Sequence, residues 1–526
     1  MSLGTAPTHQ DMHRSSTELC QDLLAETSLY RILHRECHRL LPDDMFADLF
    51  HDRGRRSVPP RIVAVVMILQ RFEGLSDREA VDRFTFDLRW KYACGGLDFD
   101  HSGFVHTVLC DMRARLRRSE RPNRIFEAVL DVAKSAGLIG RKRVLDSTAL
   151  YDAVATQDTV TLIRSALRAL LRVCDSALAL ELRAALERDD DYSTAGKPAC
   201  DWDDAEARDQ LIDALARDGF AALGLLEGRS LSPDTKDAVQ LLATVLGQDL
   251  ETEQGCFRIA RGVATDRVIS TVDPEARHGH KTAARAFDGY KGHLAIDPDS
   301  EVITATTVTA ANVGDAGAAE ALLADVLPAA SVPAPAQAGP ECIAVYGDAS
   351  YGTADMLERL QSAGIEANTK VQSPPAPHGK LSQDAFSIDT QAGTVRCPAG
   401  VLVQLRRRAD GSALAKFGQH CTRCSKRDAC TSSEHGRVVH VHRKHDVLQR
   451  ARARQADEAW KRHYRATRPK VERKLGHMMR RRHGGRRARV RGRLRVGHDF
   501  ALLGAAINLQ RLAMLGVYFD GRGWQR

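Results

Sequence analysis

The chain has 526 residues, of which 43% are hydrophobic and 27% charged, and its formal net charge is +8. This composition is typical of a globular protein with two or three domains and excludes a mainly disordered chain. The longest apolar run near the start, residues 62–69, is too short to span a bilayer, and residues 1–16 lack the apolar core of a signal peptide. We therefore expect a cytoplasmic protein with no membrane contact.

Helices are predicted for the first part of the chain, and we expect a helical DNA-binding domain over residues 1–125. The segment PPRIVAVVMILQRFEG begins with prolines and ends at Gly74, which are typical helix start and stop signals. Ser76 and Glu79 then have the spacing of a capping box. Short helices with tight turns fit either a helix-turn-helix unit or a plain helical bundle.

The pattern changes at RKRVLDSTAL, which predicts a short strand that contains or ends at Asp146. Residues 158–255 have helical periodicity and predict a helical insertion. Strand patterns return at 288–296 and 301–311, and the turn residues 298–300 between them predict a hairpin. A loop rich in proline and alanine follows at 328–340.

A second strand with an acid at its end lies in ECIAVYGDASYGTADMLERLQSAGI. Asp348 follows the apolar run, Thr353 is a candidate helix N-cap, and Gly364 is a candidate stop. In open α/β sheets, functional groups collect at the carboxyl ends of strands. The chain is therefore predicted to be mixed α/β, with Asp348 as a candidate site residue.

Four of the twelve cysteines are clustered in CPAG and CTRCSKRDAC. Cys421 and Cys424 form a C-x2-C pair, and Cys397 and Cys430 complete the four thiolates of a structural Zn²⁺ site. Such a site would hold together a small lobe at about 385–445 and would not be catalytic. Reduced cysteines without metal, and redox or disulfide chemistry, are the alternatives. The other eight cysteines are scattered singly, which is typical of buried thiols in a reducing compartment.

Residues 461–495 contain 16 Lys and Arg side chains and a single acid, Glu472. Their local charge is +15, so the rest of the chain carries about −7. A basic stripe on a slightly acidic protein indicates a polyanionic partner, although most charge runs are simply solvated. The apolar helical pattern that follows the stripe favours a folded surface that binds nucleic acid.

Three acids are candidates for one metal site: Asp146, Asp348 and Glu472. Two metal ions can activate an attacking oxygen and stabilise a leaving oxygen in phosphoryl transfer, and Mg²⁺ prefers carboxylate ligands. The alternative for each aspartate is a turn or helix cap. For Glu472 it is a helical i, i+4 pair with Arg468, a weak interaction.

These motifs and their order resemble the DDE transposases of bacterial insertion sequences. The similar segments are LPDDMFADLF, GLSDREAVDRF, VLDSTAL, FDGYKGHLAID, TAANVGDAG, YGDASYG, CPAG with its cysteine cluster, RPKVERKLG, and the closing GGRRARVRGRLRVGHDFALLGAAINLQRL. The resemblance implies an RNase H-like mixed sheet flanked by helices in a catalytic domain at 140–515. That domain would be interrupted by the helical insertion and the cysteine-rich lobe, and followed by a tail at 516–526.

The resemblance also implies roles for residues. Asp146, Asp348 and Glu472 would be catalytic and would coordinate two Mg²⁺ or Mn²⁺ ions. The family carries a Tyr, Arg, Glu, Lys signature around its third acid. Arg468 fits that signature, Tyr464 and Arg480 stand near two of its other positions, and Pro469 must start the helix or kink it.

Further DNA contacts are predicted at Lys291, in the strand segment GYKGH, and at Lys474, in the basic stripe. Asp273, Asp288 and Asp315 are weaker candidates for metal ligands.

The implied partner is double-stranded DNA, both element ends and target, bound by a homodimer in the bacterial cytoplasm at the nucleoid. Two other functions stay open: a DNA-binding protein without catalysis, and a structure-selective DNA nuclease.

Overall fold

The computed structural model describes residues 15–51, 56–152, 154, 156–190, 192–282, 284–328, 342–374 and 376–526. The start of the predicted N-terminal domain, nearly all of the segment assessed for a signal peptide, and most of the loop rich in proline and alanine lie outside these residues. In the part of the chain that is described, no helix has the length and apolarity needed to cross a membrane.

In chain order, the helices are α1 (Ser16–Leu23), α2 (Leu29–Leu40), α3 (Pro60–Glu73), α4 (Asp77–Phe86), α5 (Leu88–Ala93), α6 (Thr107–Arg118), α7 (Arg124–Ser135), α8 (Thr159–Val173), α9 (Ser176–Ala185), α10 (Ala205–Leu226), α11 (Pro233–Asp249), α12 (Ala319–Leu322), α13 (Ala354–Ser362), α14 (Arg427–Cys430), α15 (His445–Ala456), α16 (Glu458–Thr467), α17 (Pro469–Met478) and α18 (Arg493–Met514).

The strands are β1 (Lys142–Tyr151), β2 (Leu250–Glu253), β3 (Cys256–Ile259), β4 (Arg277–Thr282), β5 (Arg285–Ile296), β6 (Ile303–Ala310), β7 (Ala344–Gly347), β8 (Glu366–Thr369), β9 (Ser387–Asp389), β10 (Thr394–Arg396), β11 (Leu402–Gln404), β12 (Arg406–Arg407), β13 (Ala413–Lys416), β14 (Val438–Val441), β15 (Tyr518–Phe519) and β16 (Trp524–Gln525).

The main sheet has the strand order β4-β5-β1-β7-β8, and β6 also pairs with β5. The β1–β5 and β5–β6 pairs are antiparallel, whereas β1–β7 and β7–β8 are parallel. Helices flank this sheet, so the predicted RNase H-like mixed α/β class is confirmed. Strand β1 therefore lies inside the sheet, with antiparallel β5 on one side and parallel β7 on the other.

The predicted hairpin is confirmed as β5 and β6, which pair from Tyr290 with Ala310 to Ile296 with Ile303. Its turn is organised by Asp297, whose Oδ1 accepts hydrogen bonds from the backbone N–H groups of Asp299 and Ser300 at 2.9 and 2.8 Å. An aspartate that binds the backbone ahead of it is a common turn former. The turn therefore follows from local sequence.

The N-terminal helices share a core with the sheet. The capping box of Ser76 and Glu79 is confirmed at the start of α4. Gly74 ends α3 at φ 71°, and a Cβ there would lie 2.6 Å from the backbone oxygen of Arg482. One hydrophobic cluster joins α2 and α3 to β1, β5, β6 and α18. Although the boundary near residue 125 stays a prediction, the helices on its two sides are packed as one unit.

The region predicted as a helical insertion contains α8 to α11 and has its own hydrophobic cluster. Asp158 caps α8 by accepting a hydrogen bond from the Thr161 N–H at 2.8 Å. In the segment predicted as a C-terminal tail, β15 and β16 form a hairpin. Val517 is fully buried and the Arg39 guanidinium lies 4.7 Å from the Phe519 ring centre, so apolar burial and a cation–π contact hold this hairpin in place.

A buried histidine next to β1 predicts a pH-dependent stability. Burial lowers the pKa of His293 to about 4, with Asp315 opposing and Lys291 adding to the shift. An unfolded chain binds this proton near pH 6.5, so folding stability should fall as pH drops from 6.5 towards 4, by about 3 kcal/mol. Urea unfolding at pH 6.5 and at pH 4 measures the free energy of unfolding, and His293→Gln should remove this part of its decrease. An equal loss in the variant would contradict the assignment.

Candidate active site

Three elements bring the predicted acids together. Asp146 lies in the middle of β1, Asp348 directly follows β7, and Glu472 lies in the first turn of α17. Since β1 and β7 are parallel neighbours and α17 packs against β1, their side chains meet at one end of the sheet. The side chain of Asp146 is 13% exposed, that of Asp348 is 42% exposed and that of Glu472 is 61% exposed.

The guanidinium of Arg468 lies between the three acids. Its Nη2 is 2.9 Å from Asp146 Oδ1 and 3.9 Å from Asp348 Oδ2, and its Nη1 is 3.3 Å from Glu472 Oε1. The side chain is only 6% exposed, and its Nε and Nη1 have no hydrogen-bond partner among the described residues. One cation therefore faces three carboxylates, which leaves two negative charges uncompensated when all three are ionised.

Local sequence explains the position of Arg468. Pro469 occupies the first turn of α17, where its missing N–H costs nothing, so the helix starts there and α16 ends at Thr467. Arg468 is the junction between the two helices, and Glu472 is four residues further along the same face. Tyr464 anchors α16 by donating a hydrogen bond from its hydroxyl to the Gly347 carbonyl at 3.1 Å. That contact fixes the helix against the residue preceding Asp348.

The electrostatics of the site follow from its burial. Burial raises the pKa of Asp146 to about 6, against the lowering effects of the Arg468 guanidinium and the Ser147 N–H, and Asp348 raises it further. Burial tends to lower the pKa of Arg468, but Asp146 and the other acids raise it above its usual value. A desolvated carboxylate in this position needs a positive partner.

The donor set fits a divalent cation. Among the described residues, no three His, Cys, Asp or Glu side chains are arranged to hold a metal ion, because the acids gather around Arg468 instead. The three carboxylates nevertheless converge on a single cationic group, and their excess negative charge of two would be balanced by one Mg²⁺ or Mn²⁺ ion. Oxygen donors of this kind are the ligands that such ions prefer.

Beneath the acids lies a second polar group that sequence reasoning did not identify as a unit. The Ser147 hydroxyl donates to Asp315 Oδ2 at 2.6 Å, and Lys291 Nζ is 3.0 Å from Asp315 Oδ1. His293 lies opposite Ser147 in the sheet and contacts the Tyr351 hydroxyl at 3.2 Å. These contacts hold β1 in place at Ser147, the residue next to Asp146. The alternation of polar residues in GYKGH and the acid in NVGDAG were the available signals.

The predicted DNA-contacting residues lie in different surroundings. The Lys291 ammonium is held in the internal pair with Asp315, and Lys474 is 4% exposed, with its pKa lowered to about 8 by burial. Tyr464 is also buried, and Arg468 faces the acids. These positions do not support direct DNA contact by those four residues. Arg480 is exposed at the end of α17, as a DNA contact requires.

The weaker metal candidates are engaged elsewhere. Asp273 is buried and accepts a hydrogen bond from the Tyr290 hydroxyl at 2.7 Å, whereas Asp288 contacts His278 Nδ1 at 2.7 Å. Asp315 is occupied by Ser147 and Lys291. Each therefore has a structural partner that accounts for it.

The four clustered cysteines surround one small cavity of about 20 Å³. Cys421 and Cys430 are buried, and the Arg437 N–H donates to Cys421 Sγ at 3.4 Å. Burial raises the pKa of the Cys430 thiol, Arg437 opposes this, and the three other thiols raise it further. Thiolate sulfur is a preferred zinc donor, but among the described residues these four side chains are not arranged as a formed metal site. The zinc site itself stays a prediction.

Comparisons with protein families agree with this arrangement. A model described as a transposase DDE domain matches residues 396–513, and one described as a transposase domain (DUF772) matches residues 20–115. The first range contains Arg468, Glu472 and the four cysteines, whereas Asp146 and Asp348 lie outside both ranges. Searches of curated proteins and of solved structures gave no match. These two matches, in the expected order along the chain, indicate a DDE transposase of the insertion-sequence type.

Proposed function

We propose that this transposase binds the ends of its mobile element, hydrolyses a phosphodiester bond to free a 3′ hydroxyl, and joins that hydroxyl to target DNA. The convergence of Asp146, Asp348 and Glu472 on one cationic group is the observation that carries the proposal. Transposases act on DNA, and DDE enzymes use divalent metals, so the site and the family point to the same chemistry.

Asp146, Asp348 and Glu472 would hold the metal ions. When bound there, Mg²⁺ supplies activation of the attacking oxygen and stabilisation of the leaving oxygen. The chain's own part is to fix the acids before substrate arrives. The Ser147 N–H donates to Asp146 Oδ1 at 2.9 Å, and the Ser350 N–H donates to Asp348 Oδ1 at 2.9 Å. Both carboxylates thus keep one oxygen oriented by backbone.

Arg468 would act as a counter-ion for the acids until metal ions bind. Its guanidinium lies within 2.9–3.9 Å of all three carboxylates. The guanidinium would therefore have to move away for those oxygens to bind a metal ion. Arg480 and the other exposed arginines of the 461–495 stripe would then bind the phosphate backbone. Two element ends must be held together, so we propose a homodimer on DNA.

The proposal can be tested with purified protein, labelled element-end DNA and a target plasmid, in Mg²⁺ and in EDTA. We expect cleaved ends and strand-transfer products in Mg²⁺ alone. DNA binding without any cutting would identify a DNA-binding protein instead. Cutting without joining would identify a nuclease.

We also propose that the cysteine cluster binds zinc. A reduced preparation should contain about one zinc per chain, and Cys421→Ser with Cys424→Ser should lose it and destabilise the lobe. Cys342→Ser is the matched control, because that thiol is exposed and outside the cluster. Elemental analysis that finds no zinc in the wild-type protein would refute the site.

A further inference from the structure

A cavity of about 580 Å³ lies between the helical insertion and the basic stripe. Four arginines line it: Arg168 and Arg172 from α8, Arg183 from α9, and Arg491, which precedes α18. None of the described residues that line this cavity is an aspartate or glutamate. We call these four side chains and the space between them the arginine groove.

Three of the charges in the arginine groove lack internal compensation. By contrast, the guanidinium of Arg164, one turn earlier on α8, is paired with the Asp190 carboxylate at 2.7 Å. Within the described residues, no hydrogen bond or ion pair is found for the side chains of Arg168, Arg172 or Arg491. Guanidinium groups that share a cavity without an acid in its described lining attract an anion.

The helix itself gains little from this arrangement. Arg168 and Arg172 are four residues apart on α8, a spacing at which like charges destabilise a helix by a few tenths of a kcal/mol. The C-terminal dipole of α8 favours Arg172 but not Arg168, which lies a turn earlier. Helix stability alone therefore does not account for the pair, nor for the approach of Arg183 and Arg491 from other segments.

The segments that carry the groove are fixed to one another. Next to Arg491, the Gly492 N–H donates to both oxygens of buried Asp273 at 3.2 Å. Thr271, which also lines the groove, donates its N–H to Gln157 Oε1 at 2.7 Å, and Gln157 directly precedes the cap of α8. The arginines are thus held on a preformed frame, so anion binding requires little reorganisation.

We propose that the arginine groove binds the phosphodiester backbone of duplex DNA. Guanidinium groups match phosphate oxygens in geometry and charge. Arg491 belongs to the 461–495 stripe, so the groove extends that stripe onto the helical insertion. A backbone with several phosphates fits four arginines from three segments better than one small anion does. This inference rests on the proposed function, since it presumes a DNA substrate, and it assigns the insertion a part in holding it.

Binding measurements in EDTA test the groove separately from catalysis. Fluorescence anisotropy with a short labelled duplex of arbitrary sequence gives the slope of log K against log salt concentration. Arg172→Ala should reduce that slope by about 1, and Arg168→Ala with Arg172→Ala by about 2, with affinity weakened on the order of tenfold or more. Arg172→Lys keeps the charge and should keep the slope.

Lys236→Ala is the matched control, because it removes one exposed charge from α11 of the same helical unit and should leave the slope unchanged. A double variant that folds normally and keeps the wild-type slope would overturn the groove, as would wild-type protein that does not bind the duplex. The proposal would also be overturned if the double variant lost binding of inorganic phosphate but kept the wild-type salt slope for duplex DNA. That result would identify a site for a small anion. Arginine-dependent binding without cleavage in Mg²⁺ would refute the proposed function and leave the groove standing.

Discussion

Replacing Asp348 with asparagine is expected to lower the rate of Mg²⁺-dependent strand cleavage by about a thousandfold or more. Loss of one charged ligand removes several kcal/mol of transition-state stabilisation, and each 1.4 kcal/mol is about tenfold in rate. The fold should be retained, because the Asp348 side chain is 42% exposed and asparagine keeps an oxygen for the Ser350 N–H. Single-turnover cleavage of labelled element-end DNA measures the effect.

Asp299→Asn is the control for this variant. It removes an aspartate from the β5–β6 turn, where the side chain is 65% exposed, and should cut DNA at the wild-type rate. If Asp348→Asn kept cleavage within a few fold of wild type while Asp299→Asn did so too, Asp348 would not be a metal ligand.

Arg468→Ala is expected to have the largest effect on stability. It leaves the largely buried Asp146 carboxylate without its nearest positive partner, a change that costs about 3–5 kcal/mol in measured cases. Because Mg²⁺ would no longer compete with the guanidinium, the ion should restore more stability to the variant than it adds to wild type. Thermal unfolding in EDTA and in Mg²⁺ measures both quantities.

Arg465→Ala provides the comparison, since Arg465 is exposed one turn earlier in α16. It should unfold like wild type in either buffer. Equal unfolding midpoints for Arg468→Ala and wild type in EDTA would refute the role of Arg468 as counter-ion. A variant that is less stable but gains nothing from Mg²⁺ would refute the metal site instead.

The three acids of the candidate site are predictable from the sequence, but by two different signals. Asp146 and Asp348 were identified by apolar strands that run into them, and Glu472 by its contrast with the surrounding arginines. The strand, hairpin and capping predictions rest on local chemistry, so they were confirmed. What local chemistry cannot give is the partner across the sheet, which explains why the pair of Lys291 with Asp315 was missed.

The burial of Lys474 is predictable from helical spacing, but the surrounding charge favours the opposite interpretation. Its helical spacing from Val471, Leu475 and Met478 places it on the buried face of α17. The many charged residues around it in the sequence nevertheless suggest a side chain that faces solvent. Arg468 is the opposite case. Its spacing from Glu472 was recognised, but spacing alone does not tell whether a guanidinium points at DNA or at the acids.

The shared core of α3 and α18 has a consequence for how the protein is made. Arg71 and Asp499 are 428 residues apart and their side chains meet at 2.9 Å. At roughly 5–20 residues per second, a ribosome needs on the order of 20–90 s to span that distance. During most of this time the apolar α3 has no α18 to cover it. Glu472 of α17 is also missing until late in synthesis. We expect the growing chain to depend on chaperones and to remain inactive until its last helix emerges.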